Sequence, residues 1–494
     1  MKTIPSTVVK TVVSLLALIT GSFTGIYAAD DFAVKVRTAD GGEWRDVTVL
    51  PVKVDKVDNG KHRVEMSSVA QFDITAAVEV QVTSLSRDVE SVRIRPLSYQ
   101  VEHTRQGNTI SFRLDRPRYL SIEVNGDIYR NLQLFANAPL DLDRYGLRWN
   151  KKHTKLTLNS KLSTLNSKLL TLNSKLITFG PGVHNIDSLG VTSGTTVYID
   201  NDAVLKGWIA IDDATDVRIL GNGIIDPGHH QGIVIRRSRN VVVDGPLTTQ
   251  IPCGQSSNVT VRNAKVISWY GWGDGMNVFA SQDVSYENVF CRTSDDCSTI
   301  YCTRLGYRGS CRNISVRHAV YWADVAHPIM IGLHGDIDRN ETIEDVLYDD
   351  IDILENPENQ IDYKGCFGIN NGDNILVRRI TFQNIRVEDL RGQGMLLNMR
   401  VCWNQKYCHA PGRGIEDITL RNISYTGQRP QMSIIAGYNE QRRVRNIRFE
   451  NLSINGKIIS DDMPDKLKWY KTADYADIFI GEHVEDVTFT RTDN

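Results

Sequence analysis

The sequence predicts an all-β protein, in which a right-handed parallel β-helix is preceded by a small antiparallel β-sandwich domain. Two periodicities and one absence support this prediction. Short alternating apolar and polar runs occupy residues 32–136, and a longer repeat of Asn or Asp followed by β-branched residues begins at Thr196. Patterns with the 3.6-residue period of an α-helix are almost absent, which argues against a (β/α) barrel.

Residues 1–29 have the form of an export signal. Lys2 and Lys10 precede an apolar run, and small residues follow up to Ala29. The run is too short to cross a bilayer, which requires about 20 residues in a helix. We therefore predict a signal peptide and a secreted protein, extracellular or periplasmic, that does not engage a membrane.

Residues 30–140 are predicted to form the antiparallel β-sandwich. Runs such as 78–82 and 120–124 alternate with a period of two, and turn signals such as Asn125-Gly126 separate them. Strands of this kind bury one face each in packed antiparallel sheets. The segment holds no cluster of catalytic residue types, so its predicted role is structural or sugar-binding.

Residues 141–180 form a predicted linker that contains a seven-residue repeat. The sequence Thr-Leu-Asn-Ser-Lys-Leu occurs three times between residues 157 and 176. Three copies are few for a coiled coil, and Asn-Ser pairs are unfavourable inside a helix. We predict an inserted surface loop or hairpin, after which the β-helix domain occupies residues 181–494.

The repeat that begins at Thr196 predicts the β-helix. Each unit places Asn or Asp before alternating β-branched and polar residues, as at Asn240, Asn258, Asn313 and Asn446, with spacings from 18 residues upward. A rung of three short strands and their turns takes roughly 20–25 residues. The β-branched residues would stack inside the coil, while Asn in the turns tolerates a left-handed backbone.

The composition is that of an ordinary globular protein. Hydrophobic residues make up 41% and charged residues 23% of the chain, and the formal net charge is −2. Nucleic acid requires a clustered basic face, so we expect no nucleic-acid partner. We expect a monomer.

The eight cysteines all follow the leader. An even number in an exported chain permits disulfides, and Cys402 with Cys408 or Cys302 with Cys311 could close short loops. Buried free thiols are the alternative. No Cys-x2-Cys pair is present, which argues against a zinc site.

Carboxylates gather between residues 269 and 335. Asp274 lies in a Trp-Gly-Asp-Gly turn, and Asp295 and Asp296 follow 21 and 22 residues later. This step corresponds to one rung, and rungs lie about 4.8 Å apart. Adjacent aspartates can face one cleft only where the backbone turns or bulges. Hydrolysis of a glycosidic bond needs a protonated carboxyl as acid and an ionised one as base, which inverting enzymes hold ~6.5–9.5 Å apart.

These motifs resemble those of the polygalacturonases of glycoside hydrolase family 28. Asp274 matches the aspartate of the family's Asn-Thr-Asp motif, residues 295–297 match Asp-Asp-Cys, and the segment at His327 resembles Gly-His-Gly. The resemblance implies an inverting hydrolase of a pectic polysaccharide, with Asp295 as the general acid and Asp274 and Asp296 orienting the water. It also implies that His327 sets the protonation state of the acid. We expect no metal and no cofactor.

The sequence departs from the family pattern in ways that keep other functions open. Trp272-Gly273 replaces Asn-Thr, and residues 368–373 contain no counterpart of the family's Arg-Ile-Lys, which grips galacturonate. Arg and Lys bind carboxylates by charge-assisted hydrogen bonds. Three aspartates behind a sandwich also resemble the dextranase group of family 49, which acts on neutral α-glucans. A β-helix polysaccharide lyase that uses Ca²⁺ and a non-catalytic glycan-binding β-helix are further alternatives.

Four side chains are candidates for substrate binding. Trp272, Tyr301 and Trp403 could stack on sugar rings, although aromatic side chains in such positions also cap the core of a coil. Lys364 could supply a cationic contact, and a solvated surface position is its simpler explanation. His334 is a second candidate for the histidine of the site.

Overall fold

Residues 31–58, 61–147, 170–172, 176–228, 231–269, 271–358, 360 and 363–492 are described by the computed structural model. The predicted signal peptide and most of the seven-residue repeat lie outside these residues. Within them, no helix is long and apolar enough to cross a membrane. The described residues divide into two units. The smaller unit contains those up to 53, in 66–94 and in 101–136, and the larger unit contains those in 54–65, in 95–100 and from 137 onward.

Two five-stranded antiparallel sheets make up most of the smaller unit. Their strand orders are β2-β1-β5-β8-β7 and β3-β4-β10-β9-β6. Alternate residues of β1 and β5 are buried, as the period of two predicts. The strands are β1 Phe32–Thr38, β2 Arg45–Val47, β3 Val49–Asp58, β4 Lys61–Asp73, β5 Val78–Ser84, β6 Val92–Arg95, β7 His103–Gln106, β8 Thr109–Leu114, β9 Arg118–Val124 and β10 Leu132–Asn137.

The larger unit contains a right-handed parallel β-helix, which confirms the predicted fold class. Its 29 strands pair in parallel with their equivalents on the next rung. Within the described part of this sheet, the one antiparallel pair is the hairpin of β36 and β37. Short 3₁₀ helices span Leu97–Tyr99, Asp143–Tyr145 and Thr472–Ala476. The strands are β11 Leu170–Leu172, β12 Leu176–Phe179, β13 Gly182–Val191, β14 Thr196–Ile199, β15 Ala203–Asp212, β16 Thr215–Leu220, β17 Ile224–Asp226, β18 Ile233–Arg236, β19 Arg239–Asp244, β20 Leu247–Thr248, β21 Cys253–Gly254, β22 Ser257–Arg262, β23 Lys265–Ile267, β24 Met276–Phe279, β25 Gln282–Thr293, β26 Ser298–Tyr301, β27 Cys311–Ala323, β28 Ile329–Gly332, β29 Thr342–Glu355, β30 Phe367–Asn371, β31 Leu376–Val387, β32 Leu397–Val401, β33 Gly414–Tyr425, β34 Ser433–Ala436, β35 Val444–Glu450, β36 Leu452–Ile454, β37 Lys457–Ile459, β38 Ile478–Ile480 and β39 Val484–Thr490.

One column of β-branched residues shows why the sequence repeat forms this coil. Nine of its ten members directly follow an Asn or Asp whose φ lies between 48° and 60°. The tenth member, Ile380, follows Arg379, which takes the same left-handed conformation and pairs with Asp345. The turn residue therefore tolerates positive φ, and the next side chain points into the core. The column consists of Val217, Val241, Val259, Val284, Ile314, Val346, Ile380, Ile418, Ile447 and Val487.

A buried ion-pair network lies outside the coil interior of the larger unit. Arg95 is fully buried, and its guanidinium donates to Glu388 Oε2 at 2.7 Å and to Glu355 Oε1 at 2.8 Å. The same guanidinium lies 5.0 Å from the ring centroid of the buried Trp322. Arg391 also pairs with Glu355, at 2.6 Å, so removal of Arg95 would take one buried cation away from a network of two buried carboxylates.

All eight cysteines are free thiols, so the predicted disulfides are not formed. Six of them belong to the core of the coil, where they pack as small apolar side chains. Cys408 packs in a second apolar cluster with Tyr363, while Cys402 is half-buried. The alternative of free thiols is the correct one for this structure.

Candidate active site

Asp274, Asp296 and His327 occupy equivalent positions on three successive rungs. Each lies two residues before a member of one aligned row, in which Met276 pairs with Ser298 and Ser298 pairs with Ile329. The backbone amide of Gly275 donates to Asp296 O, and that of Cys297 donates to His327 O, both at 2.8 Å. The parallel register thus brings together three residues that are 22 and 31 positions apart in sequence.

A bend in the chain brings Asp295 to the same place. β25 ends at Thr293 and β26 begins at Ser298, so residues 294–297 are not in a strand. The Asp295 amide donates to Gly273 O at 3.1 Å, and the Gly273 amide donates to Ser294 Oγ at 2.8 Å. Because of this bend, Asp295 and Asp296 both reach one cluster, which a regular strand would prevent.

The three aspartates form one tight cluster of carboxyl groups. One carboxylate oxygen from each of Asp274, Asp295 and Asp296 lies within 4.8 Å of the other two. Asp274 and Asp295 remain partly accessible, whereas Asp296 is only 2% exposed. These nearest oxygens are closer than the ~6.5–9.5 Å at which inverting glycosidases typically hold acid and base, because neighbouring rungs are only about one strand spacing apart.

Three donors converge on the carboxylate of Asp296. His327 Nδ1 lies 2.7 Å from Oδ1, the His327 backbone amide donates to the same oxygen at 3.1 Å, and the Tyr301 hydroxyl donates to Oδ2 at 3.2 Å. Hydrogen bonds of this kind favour the ionised form of a carboxyl group.

His327 is completely buried and holds two acceptors. Its Nε2 faces the backbone oxygen of Tyr363, while its Nδ1 faces Asp296, so both ring nitrogens must carry a proton. Burial lowers the pKa of His327, but the charge and hydrogen bond of Asp296 outweigh burial and hold the pKa above its usual value. Among the described residues, no hydrogen bond joins His327 to Asp295. The imidazolium therefore acts directly on Asp296 and reaches the predicted acid only through it.

The electrostatics separate the roles of the remaining two carboxyl groups. Burial, followed by the charges of Asp296 and Asp274, raises the pKa of Asp295 well above its usual range. Burial and then the charge of Asp296 raise the pKa of Asp274 to about 7, against an opposing hydrogen bond from Asn277. The site can thus hold a protonated carboxyl at Asp295 beside the hydrogen-bonded carboxylate of Asp296, and acid–base catalysis requires a proton donor of this kind next to a group that can accept a proton.

Glu358, a fourth carboxylate beside the site, was not among the predicted site residues. Its residue is 6% exposed, its Oε1 accepts a hydrogen bond from the Gln360 amide at 2.7 Å, and its charge raises the pKa values of Asp295 and His327. Glu358 lies in an irregular segment between β29 and β30, without a repeat or motif to reveal it. No sequence signal could have found it.

The four predicted binding residues have different environments. The ring of Tyr301 is buried and its hydroxyl is hydrogen-bonded to Asp296, so a sugar ring cannot stack on this side chain. The side chains of Trp272 and Trp403 are 59% and 46% exposed. Lys364 is only 8% exposed, so its expected surface position is wrong.

His334, the second histidine candidate, does not carry a charge in this environment. Its ring packs edge-on against Tyr301, with ring centroids 4.9 Å apart. Burial, followed by the charge of Arg304, lowers the pKa of His334 to about 3. Among the described residues, His327 is therefore the histidine that contacts the aspartates.

A cavity of about 350 Å³ opens beside Asp274. It extends over the rungs that precede the aspartates, from β15 to the turn before β24. Its lining combines indole rings with uncharged polar side chains. The lining residues are Trp208, Gly228, Gln231, Val234, Arg236, Thr249, Gln250, Ser268, Trp269, Trp272, Gly273 and Asp274.

A parallel β-helix that carries this carboxylate cluster at one turn has the architecture and chemistry of a polysaccharide glycoside hydrolase. Residues 249–467, which include the three aspartates and His327, match the family model described as glycosyl hydrolases family 28. The resemblance to this family is confirmed. A comparison with curated proteins found no match.

Two solved structures are among those that this chain resembles. Dex49A from Penicillium minioluteum is 14% identical, and the match covers 92% of this chain and 94% of that chain with a TM-score of 0.59. The family 28 exopolygalacturonase of Yersinia enterocolitica is 13% identical, with 84% and 97% of the two chains covered and a TM-score of 0.49. The likeness to Dex49A supports the fold over the part of this chain that it covers.

Proposed function

We propose that the protein is a secreted hydrolase that cleaves the O-glycosidic bonds of a pectic polysaccharide with inversion at the anomeric carbon. The observation that carries this proposal is the contrast between Asp295, whose pKa is strongly raised, and Asp296, whose ionised form receives three hydrogen bonds. Secretion is supported by the leader-like residues 1–29.

The proposed reaction begins with a sugar unit bound across the cluster. Asp295 donates its proton to the glycosidic oxygen as the bond to the anomeric carbon breaks. A water held by Asp274 and Asp296 attacks that carbon from the opposite face and gives up a proton. Asp274, with a pKa of about 7, is the proton acceptor, while the His327 imidazolium pairs with the carboxylate of Asp296.

The pectic substrate is supported by the family motifs and by Lys364. Lys364 lies three residues before Phe367 and Asp295 three residues before Ser298, and these strand residues are aligned two rungs apart. The side chain of Lys364 is almost buried and forms no ion pair with any described residue. A buried ammonium is stabilised by a carboxylate partner, which a galacturonate unit would supply.

The test is release of reducing ends from polygalacturonate, rhamnogalacturonan and dextran. We expect Asp295→Asn to lower the rate roughly 10²- to 10⁴-fold, while Asp338→Asn, an exposed acid in the segment after β28, leaves it unchanged. NMR of the first product should show the inverted anomer. Full activity in Asp295→Asn, or a retained anomer, contradicts the mechanism.

Three results would replace the proposal by an alternative function. Cleavage of dextran alone would assign the protein to neutral α-glucans. Unsaturated products that disappear with a chelator would indicate a lyase, since the clustered aspartate oxygens could also hold a cation. Binding of glycans without any reducing-end release would indicate a binding protein.

A further inference from the structure

The cavity beside Asp274 combines the groups that bind an uncharged sugar. Three of its lining residues are tryptophans, Trp208, Trp269 and Trp272. Indole faces cover the apolar C–H face of a pyranose ring, and side-chain amides can both donate to and accept from its hydroxyl groups. Gln231 and Gln250 supply two such amides, and neither side chain is hydrogen-bonded within the described part of the chain. A volume of about 350 Å³ suits a small ligand.

The charge of the cavity disfavours an acidic sugar. Arg236 is the one cation among its lining residues, and its guanidinium forms a two-point ion pair with Asp212, with 2.5 Å between Nη2 and Oδ2. Arg237 lies 3.8 Å from the same carboxylate. A uronate carboxylate in this cavity would lose hydration without an unpaired cation to compensate, and would face Asp274.

A histidine from another part of the larger unit holds the outermost tryptophan. His62 Nδ1 is 2.7 Å from Oδ2 of Asp55, whose side chain is 1% exposed. The His62 ring meets the ring of Trp272 edge-on, with centroids 4.8 Å apart. The buried carboxylate thus fixes the imidazole, and the imidazole supports one face of an indole that is otherwise largely exposed.

We propose that this cavity is a subsite for an uncharged pyranose unit next to the reaction centre, and that His62 positions Trp272 as one of its walls. The inference rests on the proposed hydrolytic function, because the subsite would hold the unit adjoining the cleaved bond. In a pectic chain, this unit is a methyl-esterified uronate or a neutral sugar. The carboxylate that Lys364 would bind then belongs to a different unit of the same chain.

Binding is measured by tryptophan fluorescence of the full chain carrying Asp295→Asn. The titrants are methyl-esterified and de-esterified oligogalacturonides of equal length, and isomalto-oligosaccharides as a neutral glucan. We expect the esterified or neutral probe to bind more tightly than the de-esterified one. We also expect Trp208→Phe to weaken binding of the preferred probe about ten-fold. Equal or tighter binding of the de-esterified probe overturns the proposal.

The ion pair in the cavity offers a sharper test. Asp212→Asn releases the charge of Arg236 into the cavity, so affinity for the de-esterified probe should rise several-fold while affinity for the uncharged probe stays the same. The matched control is Asp213→Asn, because Asp213 is exposed and pairs with Arg237. If Asp212→Asn leaves the ratio of the affinities for the uncharged and the de-esterified probe unchanged, the proposal that this cavity is the subsite is overturned.

His62 is tested in the otherwise unaltered enzyme. His62→Ala should raise KM several-fold and leave kcat unchanged, because it disturbs Trp272 and not the aspartates. His62→Phe, which keeps a ring against Trp272, should restore most of the lost affinity. A fall in kcat without a change in KM contradicts the positioning role.

The two proposals fail in distinguishable ways. If uncharged probes bind through the tryptophans but no glycan is hydrolysed, the proposed function is wrong and the subsite is retained. If hydrolysis proceeds but the cavity variants bind and turn over all probes as the unaltered enzyme does, the subsite is wrong and the proposed function is retained.

Discussion

Replacement of His327 by glutamine tests the ion pair on which the proposed chemistry depends. The substitution removes the positive charge beside Asp296, together with a ring that also reaches Tyr363 O. His327 is 0% and Asp296 2% exposed, so water cannot take over the lost interaction. We expect a less stable site and a large loss of activity.

The magnitude follows from the geometry of the pair. At a charge separation of about 4 Å and an effective dielectric constant of about 20, the attraction is about 4 kcal/mol. In mutational experiments on other proteins, removal of one partner of a buried ion pair lowers the free energy of unfolding by roughly 3–5 kcal/mol. These estimates agree, and together they predict that His327→Gln loses roughly 3–5 kcal/mol of local stability.

The pH dependence separates the charge from the packing. The folded-state pKa of His327 lies above its ordinary value, which is about 6.5 in an unfolded chain. The contribution of the protonated ring is therefore complete below about pH 6.5 and is lost as the pH rises through the folded-state pKa. The difference between the unaltered protein and His327→Gln should be largest at low pH and should shrink as the pH rises.

Hydrogen exchange of β28, Ile329–Gly332, is the appropriate assay, because long repeat coils can open locally without global unfolding. The matched control is His334→Gln, since His334 is also largely buried but its pKa of about 3 keeps it neutral throughout. A stability difference for His327→Gln that is constant with pH would refute the reasoning, as would an equal pH dependence in His334→Gln.

Two further predictions concern charge. Asp296→Asn should lower the raised pKa values of Asp274, about 7, and of Asp295, because it removes a negative charge that raises both. Carboxyl-carbon NMR of labelled aspartate measures the two pKa values. An unchanged pKa of Asp274 would show that burial alone raises it. Arg95→Ala should cost roughly 3–5 kcal/mol in chemical denaturation because it removes a fully buried cation that is bonded to two buried carboxylates. Arg429→Ala, at a side chain that is 79% exposed, should change stability by less than about 1 kcal/mol. Equal costs for the two arginine variants would contradict the importance of burial.

The fold could be predicted because one short pattern determines two structural features at once. An Asn such as Asn240 or Asn258 takes the left-handed conformation of the turn, and the β-branched residue after it packs in the core. This coupling recurs along the coil, so the signal accumulates over many rungs. The wrong expectation of disulfides has the same origin, since cysteines such as Cys297 occupy core positions that the pattern reserves for small apolar residues.

The site could be predicted only in part. Asp274, Asp295, Asp296 and His327 belong to motifs, and the structure brings three of them into one contact group with the histidine bonded to Asp296. The bend at residues 294–297 could be stated from the sequence only as a condition for both adjacent aspartates to reach one cluster, because local hydrogen bonds such as that of the Gly273 amide to Ser294 Oγ hold it. Neighbours such as Glu358 come from irregular segments whose positions are set by tertiary contacts alone.

The alignment of Asp274, Asp296 and His327 has a consequence for how this protein tolerates insertions. The two intervals between them differ by nine residues, yet each residue keeps the same offset from its paired strand. The extra chain length is absorbed in loops on the rim of the coil, and the parallel ladder restores the register at every turn. Evolution, or a protein engineer, could therefore lengthen or exchange rim loops to change which glycans are admitted while the reactive groups keep their mutual geometry.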